Sequence, residues 1–285
     1  MEDLRKGKIA MECVIKDLSV HYETYGQGTP ILLIHGYHVD SRLMSGCFEP
    51  IFEGLEGYRR VYIDLPGMGR TKSADWIRSA DDMLELLLIF VERVMPGERF
   101  LLAGESYGGY LARGVVRRLG RRVAGLLLLC SVVDTDFKKR ALPPRTVLKR
   151  DVALLSSLAP EDAADFEGSN VIQTPEVWER FRDEVLCGLR VADGSFLKSY
   201  QQNGYGFSFD VDAMDAPYPN PASILAGRQD DCVGYRDAWM ILENYPRATF
   251  AVLDRSGHNL QIEQSALFRA LTLEWLERVW ETTQG

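Results

Sequence analysis

The sequence predicts an α/β fold: a mostly parallel sheet of roughly eight strands, flanked by helices, with a helical cap inserted late in the chain. Three observations predict it. Short, wholly apolar runs alternate with helix-length segments, the rhythm of right-handed β-α-β units around a buried sheet. That rhythm stops at about Asp134, resumes after about Asp215, and has no clean apolar strand in between. Between Arg99 and Gly109 lies RFLLAGESYGG, an apolar strand run, a G-x-S-x-G and the start of an apolar-faced helix. Strand, turn and helix in that order form a nucleophile elbow, a turn sharp enough to expose a serine hydroxyl at the sheet edge.

The elements follow in order. Val14 to Tyr25 alternates as one or two half-exposed strands and turns at Gly26-Gln27-Gly28. Pro30 to Ile34 is an unbroken apolar run, the pattern of a strand covered on both faces, and it ends in His35-Gly36-Tyr37-His38. Arg59 to Ile63 is the next strand and leads into Asp64-Leu65-Pro66-Gly67-Met68-Gly69. Gly67 and Gly69 lack the third glycine of a phosphate loop, so this reads as a structural loop. Ser79 with Asp82 three residues on starts a helix that reaches about Met95. Phe100 to Ala103 is the elbow strand, Tyr110 to Leu119 its helix, and Val123 to Val133 a further buried strand.

Residues 135–216 read as the cap, with helices clearest at Lys149 to Leu158 and Pro175 to Cys187. Residues 1–134 and 217–285 form the core. In its second part Ala222 to Ala226 and Ala248 to Leu253 are strands, while Tyr235 to Asn244 and Ser265 to Val279 are helices.

The bulk properties narrow the function classes. At 285 residues the chain can bury a sizeable core, and 46% hydrophobic with 26% charged residues is an ordinary globular composition. Net charge is −8 with no basic stripe, which argues against nucleic acid as a partner. No apolar run approaches the roughly 18 residues of a membrane span, and the charged start, Met1 to Lys8, lacks the apolar segment of a signal peptide. Five scattered cysteines without a C-x-x-C fit reduced thiols in a cytoplasm. No spacing resembles a metal site or a P-loop, so no metal and no cofactor are expected. The expected partner is a small-molecule substrate, and the chain is compatible with a homodimer.

A serine hydroxyl is a poor nucleophile at neutral pH and needs a base, an acid to orient that base, and an oxyanion hole. Four histidines are available. His21 sits in a strand as a surface or packing residue, and His35 and His38 flank the end of a parallel strand without being placed to act as base. His258 follows the last strand and a flexible Ser256-Gly257, a loop able to swing an imidazole over Ser106. Asp230 comes off a strand end and precedes Asp231 as the acid, in the chain order Ser, Asp, His. The backbone N–H groups of Tyr107 and Tyr37 are the candidate oxyanion donors. His38, Trp178 and Phe207 are candidates to line a substrate pocket. With Tyr205 and Phe209, the two cap aromatics fit equally well as the cap's own core.

The ensemble resembles an α/β-hydrolase over the whole chain outside the cap. His35-Gly36 resembles the family's oxyanion-hole motif, and Asp64 to Gly69 its D-x-P-G-x-G loop, with Thr71 where the pattern has serine. Gly104 to Gly108 matches the elbow, Gly227-Arg228-Gln229-Asp230 resembles the acid loop, and Ser256-Gly257-His258 the histidine loop. Serine at the elbow separates the chain from dehalogenase and epoxide-hydrolase relatives, which carry aspartate there. The resemblance therefore implies acyl chemistry, with an esterase on a small to medium, partly apolar substrate favoured. Alternatives are an aminopeptidase resembling proline iminopeptidases, with a cap carboxylate (Glu161, Asp162, Asp165, Glu167, Glu176 or Glu179) holding the amine, a carbon–carbon bond hydrolase or a thioesterase. A binding protein that keeps the fold without catalysis is the non-enzyme alternative.

Overall fold

The computed structural model describes residues 7–284. One sheet of eight strands contains β1 (Ile9–Ile15), β2 (Leu18–Tyr25), β3 (Thr29–Ile34), β4 (Tyr58–Ile63), β5 (Phe100–Glu105) and β6 (Val123–Leu129). After a separate pair, β7 (Lys149–Arg150) and β8 (Ile172–Gln173), it is completed by β9 (Ala222–Gly227) and β10 (Ala248–Leu253). The spatial order is β1-β2-β4-β3-β5-β6-β9-β10. β1 and β2 form a hairpin, β2 runs antiparallel to β4, and every later pairing is parallel. This is the mostly parallel α/β sheet that the apolar runs predict.

Every residue of β5, β6 and β9 is buried. Their leucine- and alanine-rich runs have no polar face because helices cover both sides. Helix α1 (Ser41–Phe48) follows β3, α2 (Ala80–Val94) follows β4 and α3 (Tyr107–Leu119) follows β5. The chain steps from β3 outward to β4, then crosses back to β5 and on to β6. Right-handed crossovers in opposite directions place α1 on one face and α2 with α3 on the other. Sequence chemistry fixes the ends: Asp40 caps α1 through Arg42 N–H, and Ser79 with Asp82 forms a reciprocal capping box on α2. The reversal of direction at β3 opens a crevice at the carboxyl ends of β3 and β5, where ligands settle in open α/β sheets.

Between β6 and β9 the chain forms α4 (Val152–Ser157), α5 (Pro160–Ser169), α6 (Pro175–Phe181), α7 (Cys187–Leu189) and α8 (Gly194–Gly204). The helix predicted over Lys149 to Leu158 divides, because Lys149–Arg150 pairs with Ile172–Gln173 and Asp151 caps the helix that begins after it. The helix predicted over Pro175 to Cys187 runs on to Leu189 through a widened π-type turn at Arg182–Leu186. β6 stops at Leu129, short of the predicted Val133, since Cys130 turns the backbone to φ 41°. The core closes with α9 (Arg236–Met240), α10 (Leu260–Glu263) and α11 (Ser265–Gln284). Phe268 of α11 meets Phe48 of α1 edge to face at 5.3 Å. No helix among the described residues is long and apolar enough to cross a membrane.

Candidate active site

Ser106 stands between β5 and α3 at φ 52°, ψ −117°. Such a conformation costs a side-chain-bearing residue about 1–3 kcal/mol and persists only where the surroundings enforce it. They do so here. A Cβ on Gly104 would strike the Gly108 carbonyl, and one on Gly108 would strike the carbonyl of Ile34, so the strand and helix meet only because both are glycine. The Ser106 N–H donates to the Leu129 carbonyl at 2.9 Å, and its own carbonyl accepts from Val132 N–H at 3.0 Å. Neighbouring β6 thereby anchors the turn.

The structure brings Ser106, His258 and Asp230 into one hydrogen-bonded chain. His258 Nε2 lies 2.9 Å from Ser106 Oγ, and Nδ1 lies 2.9 Å from Asp230 Oδ2. Asp230 is fully buried at the end of β9, and its other oxygen accepts the N–H groups of Cys232 at 2.9 Å and Val233 at 3.0 Å. An acceptor-only carboxylate beside Nδ1 requires that nitrogen to carry the proton, leaving the Nε2 lone pair toward the serine. Asp231, the neighbouring candidate, instead pairs with Arg145 at 3.2 Å. Burial alone would raise the Asp230 carboxyl, but the His258 charge and hydrogen bonds hold it below its ordinary value. Burial also opposes charge on His258; Cys232, Asp230 and Glu105 outweigh it and raise the imidazole well above its usual range.

The histidine loop is pinned from the far side. The Glu263 carboxylate of α10 accepts Gly257 N–H at 2.6 Å, Val171 N–H at 2.5 Å and Ile172 N–H at 2.9 Å. It thus ties the residue before His258 to the segment between β6 and β9. His35, fully buried, stitches two loops together: Leu65 N–H donates to its Nε2 at 3.0 Å, which leaves Nδ1 to donate to the Gly36 carbonyl at 2.7 Å. Asp64 accepts Ser41 N–H and Arg70 N–H, each at 2.9 Å, beneath Gly69 at φ 57°. That arrangement is the physical content of the Asp64 to Gly69 motif. Tyr107 is the first residue of α3, so its N–H has no partner within the helix and remains at the elbow beside the serine. Tyr37 follows Gly36 in the loop after β3, and its hydroxyl donates to the Leu197 carbonyl at 2.6 Å.

A cavity of ≈ 230 Å³ opens over Ser106 and His258. Tyr37, Val39, Leu43, Val185 and Leu189 give it apolar walls, and Glu105, Asp231 and Asn259 supply polar atoms. The three residues predicted to line a pocket do not line this one. Trp178 is buried in the core of the helical segment, with Phe166 at 5.3 Å and Phe181 at 6.2 Å. Phe207 stacks on Tyr110 at 4.5 Å and Phe209 at 4.9 Å. His38 packs its ring on Tyr37 at 4.6 Å. These three rings satisfy their own packing, and the walls come from Tyr37 and Val39 in the loop after β3, Leu43 of α1, and Val185 and Leu189 in the helical turns after α6. The six carboxylates considered for an amine are also placed elsewhere: Asp162 and Asp165 pair with Arg190, Glu167 pairs with Arg150, and none of the six lines this cavity.

Glu105, inside the elbow motif, is a further group at the site that the motif itself does not assign. It is 2% exposed, and its Oε1 lies 3.3 Å from His258 Nε2. A lone acid ending an otherwise apolar strand was the available signal. Among the described residues one group has metal-ligand reach, Cys130, Asp230 and His258, whose donor atoms lie within 4.8 Å of one another. Burial holds the Cys130 thiol well above its ordinary pKa, and the other two already bond each other, so the set fits a packed neutral thiol better than a metal centre.

Residues 31–271 match the model of the Alpha/beta hydrolase family, and the chain belongs to that family. It is 22% identical over 269 residues to a pimeloyl-[acyl-carrier protein] methyl ester esterase of Legionella pneumophila (strain Corby), spanning 91% of this chain and 100% of the relative. It is 26% identical to a 2-hydroxy-6-oxononadienedioate/2-hydroxy-6-oxononatrienedioate hydrolase of Burkholderia vietnamiensis, with 92% of each chain covered. An alpha/beta superfamily hydrolase from Oenococcus oeni PSU-1 superposes with TM-score 0.85 at 30% identity, covering 94% of this chain and 99% of that one.

Proposed function

We propose that the chain is a cytoplasmic serine hydrolase that cleaves an ester-like bond of a small to medium, partly apolar substrate. The observation that carries this reading is the unbroken relay from Asp230 through His258 to a strained Ser106 facing an apolar-walled cavity. Ser106 Oγ attacks the substrate carbonyl while His258 Nε2 takes its proton. Asp230 holds the imidazole in the required tautomer and stabilises its charged form. The Tyr37 and Tyr107 amides stabilise the tetrahedral oxyanion. The imidazolium then protonates the leaving group, and water, activated by the same histidine, releases the acyl group from Ser106. Residues 135–216 act as the cap that shapes the cavity. Support for the ester comes from the esterase relative, and the carbon–carbon bond hydrolase relative supplies the second reading.

The test is hydrolysis of p-nitrophenyl esters of graded acyl length and of aminoacyl-anilides by wild type and Ser106→Ala. Ester turnover lost in the variant supports the reading and sizes the cavity. Turnover confined to the anilides would replace the esterase with a peptidase. Turnover unchanged in Ser106→Ala would remove the proposal.

A further inference from the structure

His258 has a carboxylate at each end of its ring. Asp230 occupies Nδ1, and Glu105 approaches Nε2 at 3.3 Å, beside the Ser106 Oγ that bonds the same nitrogen at 2.9 Å. The two acids are differently provided for. The Asp230 charge is held by the His258 imidazole and by two amides. Glu105 turns into the cavity beside the nucleophile, with the Gly36 amide as its backbone donor. The ionisable groups facing it are His258, Asp230, the thiols of Cys47 and Cys130, and the Tyr205 phenol. Among the described residues no lysine or arginine lines the cavity, and Asp231, the other acid on its wall, is matched by Arg145 outside it.

This arrangement has a consequence for substrate charge. When the oxyanion forms, Asp230, Glu105 and the oxyanion each carry negative charge, and the cation that the described lining residues supply is the His258 imidazolium. A substrate group bringing a further carboxylate into the buried space would be desolvated there without a cation to meet it. An uncharged chain pays no such penalty, and a cationic one gains.

We propose that Glu105 is the charge filter of the substrate cavity, admitting uncharged or cationic acyl groups and rejecting acyl chains that end in a carboxylate. The proposal rests on the acyl-enzyme reading above. It separates this chain from any relative whose substrate is a dioate. Because burial raises the Glu105 carboxyl to about 7, against the countervailing pull of His258, the filter has a pH signature. The group is charged above that pH and neutral below it, so discrimination strengthens as pH rises through 7.

The experiment compares kcat/KM for p-nitrophenyl hexanoate and the p-nitrophenyl monoester of adipic acid at pH 8 and pH 6, in wild type and Glu105→Gln. Each rate is normalised to that ester's hydroxide hydrolysis. Both substrates share the titration of His258, so their ratio isolates Glu105. At pH 8 wild type should prefer the hexanoate by about tenfold or more. The preference should shrink at pH 6 in wild type and at pH 8 in Glu105→Gln. Should the variant fail to fold, the wild-type ratio at the two pH values still decides. A ratio near one at pH 8, or one that neither acid nor the substitution changes, would overturn the filter while leaving the hydrolase intact. Failure of wild type to turn over the hexanoate, together with failure of a fluorophosphonate to label Ser106, would remove both.

Discussion

The loops at the strand ends and the helical segment between β6 and β9 meet over one cavity but are built differently. Ser106, Asp230 and His258 each follow a strand of the central sheet, and their backbones are held by bonds to neighbouring strands or by buried carboxylates. The helical segment relies on small aromatic clusters: α4 buries no residue and α5 buries only Phe166. It is tied to the elbow by tyrosine hydroxyls, with Tyr107 Oη 2.6 Å from Tyr200 Oη and donating to the Tyr205 carbonyl at 3.1 Å. Reactive geometry thus sits on the strand-end loops, while Val185 and Leu189 bring the helical segment into the cavity wall. The contrast predicts that substitutions in the first region damage rate and those in the second damage binding or local stability.

The largest effect should come from Asp230→Asn, which keeps the shape but favours the wrong histidine tautomer. Its kcat should fall by about 10⁴-fold, measured with the ester found best for wild type. The wild-type acid limb sharpens the same point. Only neutral His258 can accept the serine proton, and its pKa is raised, so kcat/KM should climb through a midpoint above the usual histidine value of about 6.5. Removing the Asp230 charge takes away two of the influences that hold that proton, and the midpoint should move down in the variant. A wild-type midpoint below 6 would break this electrostatic account.

In the helical segment, Phe166→Ala removes a fully buried ring packed on Trp178 and Phe181. A loss of about 3–5 kcal/mol is expected there, read as earlier protection loss in hydrogen exchange across α5 and α6 than across β5 and β6. Uniform loss over the whole molecule would mean that the two regions unfold as one. Tyr107→Phe is the smallest change. It deletes the hydroxyl bonding to Tyr200 and Tyr205 while leaving the backbone N–H at the elbow. KM should rise with kcat nearly kept, at a stability cost of about 1–3 kcal/mol; a large fall in kcat would place the hydroxyl in the reaction itself.

Legibility in the sequence divides along the same line. Strands such as Pro30–Ile34 and Ala222–Ala226 are readable because burial on both faces demands unbroken apolar runs. Ser106 was readable because the elbow's glycines are local necessities of one turn. Asp230 and His258 followed from chain order, and the structure sets them within hydrogen-bond reach of each other and of Ser106. The helical segment resisted reading because its short helices bury few residues and so write little periodicity. Its two-residue strands depend on a partner more than twenty positions away. Helix α1 escapes the reading as well, since it is only eight residues long and its buried face includes Ser41 beside Leu43, Met44, Cys47 and Phe48. Glu105 carries a readable anomaly, an acid closing an apolar strand, but the group it meets, His258, lies in a loop far along the chain.

Whether Ser106 is the activated nucleophile is read most directly by exposing the folded protein to a fluorophosphonate, followed by intact-mass and peptide analysis. One equivalent of label is expected, located on Ser106 and lost in His258→Ala, which keeps the hydroxyl but removes its base. No label on the folded protein, or label on another residue with Ser106 untouched, would contradict that role.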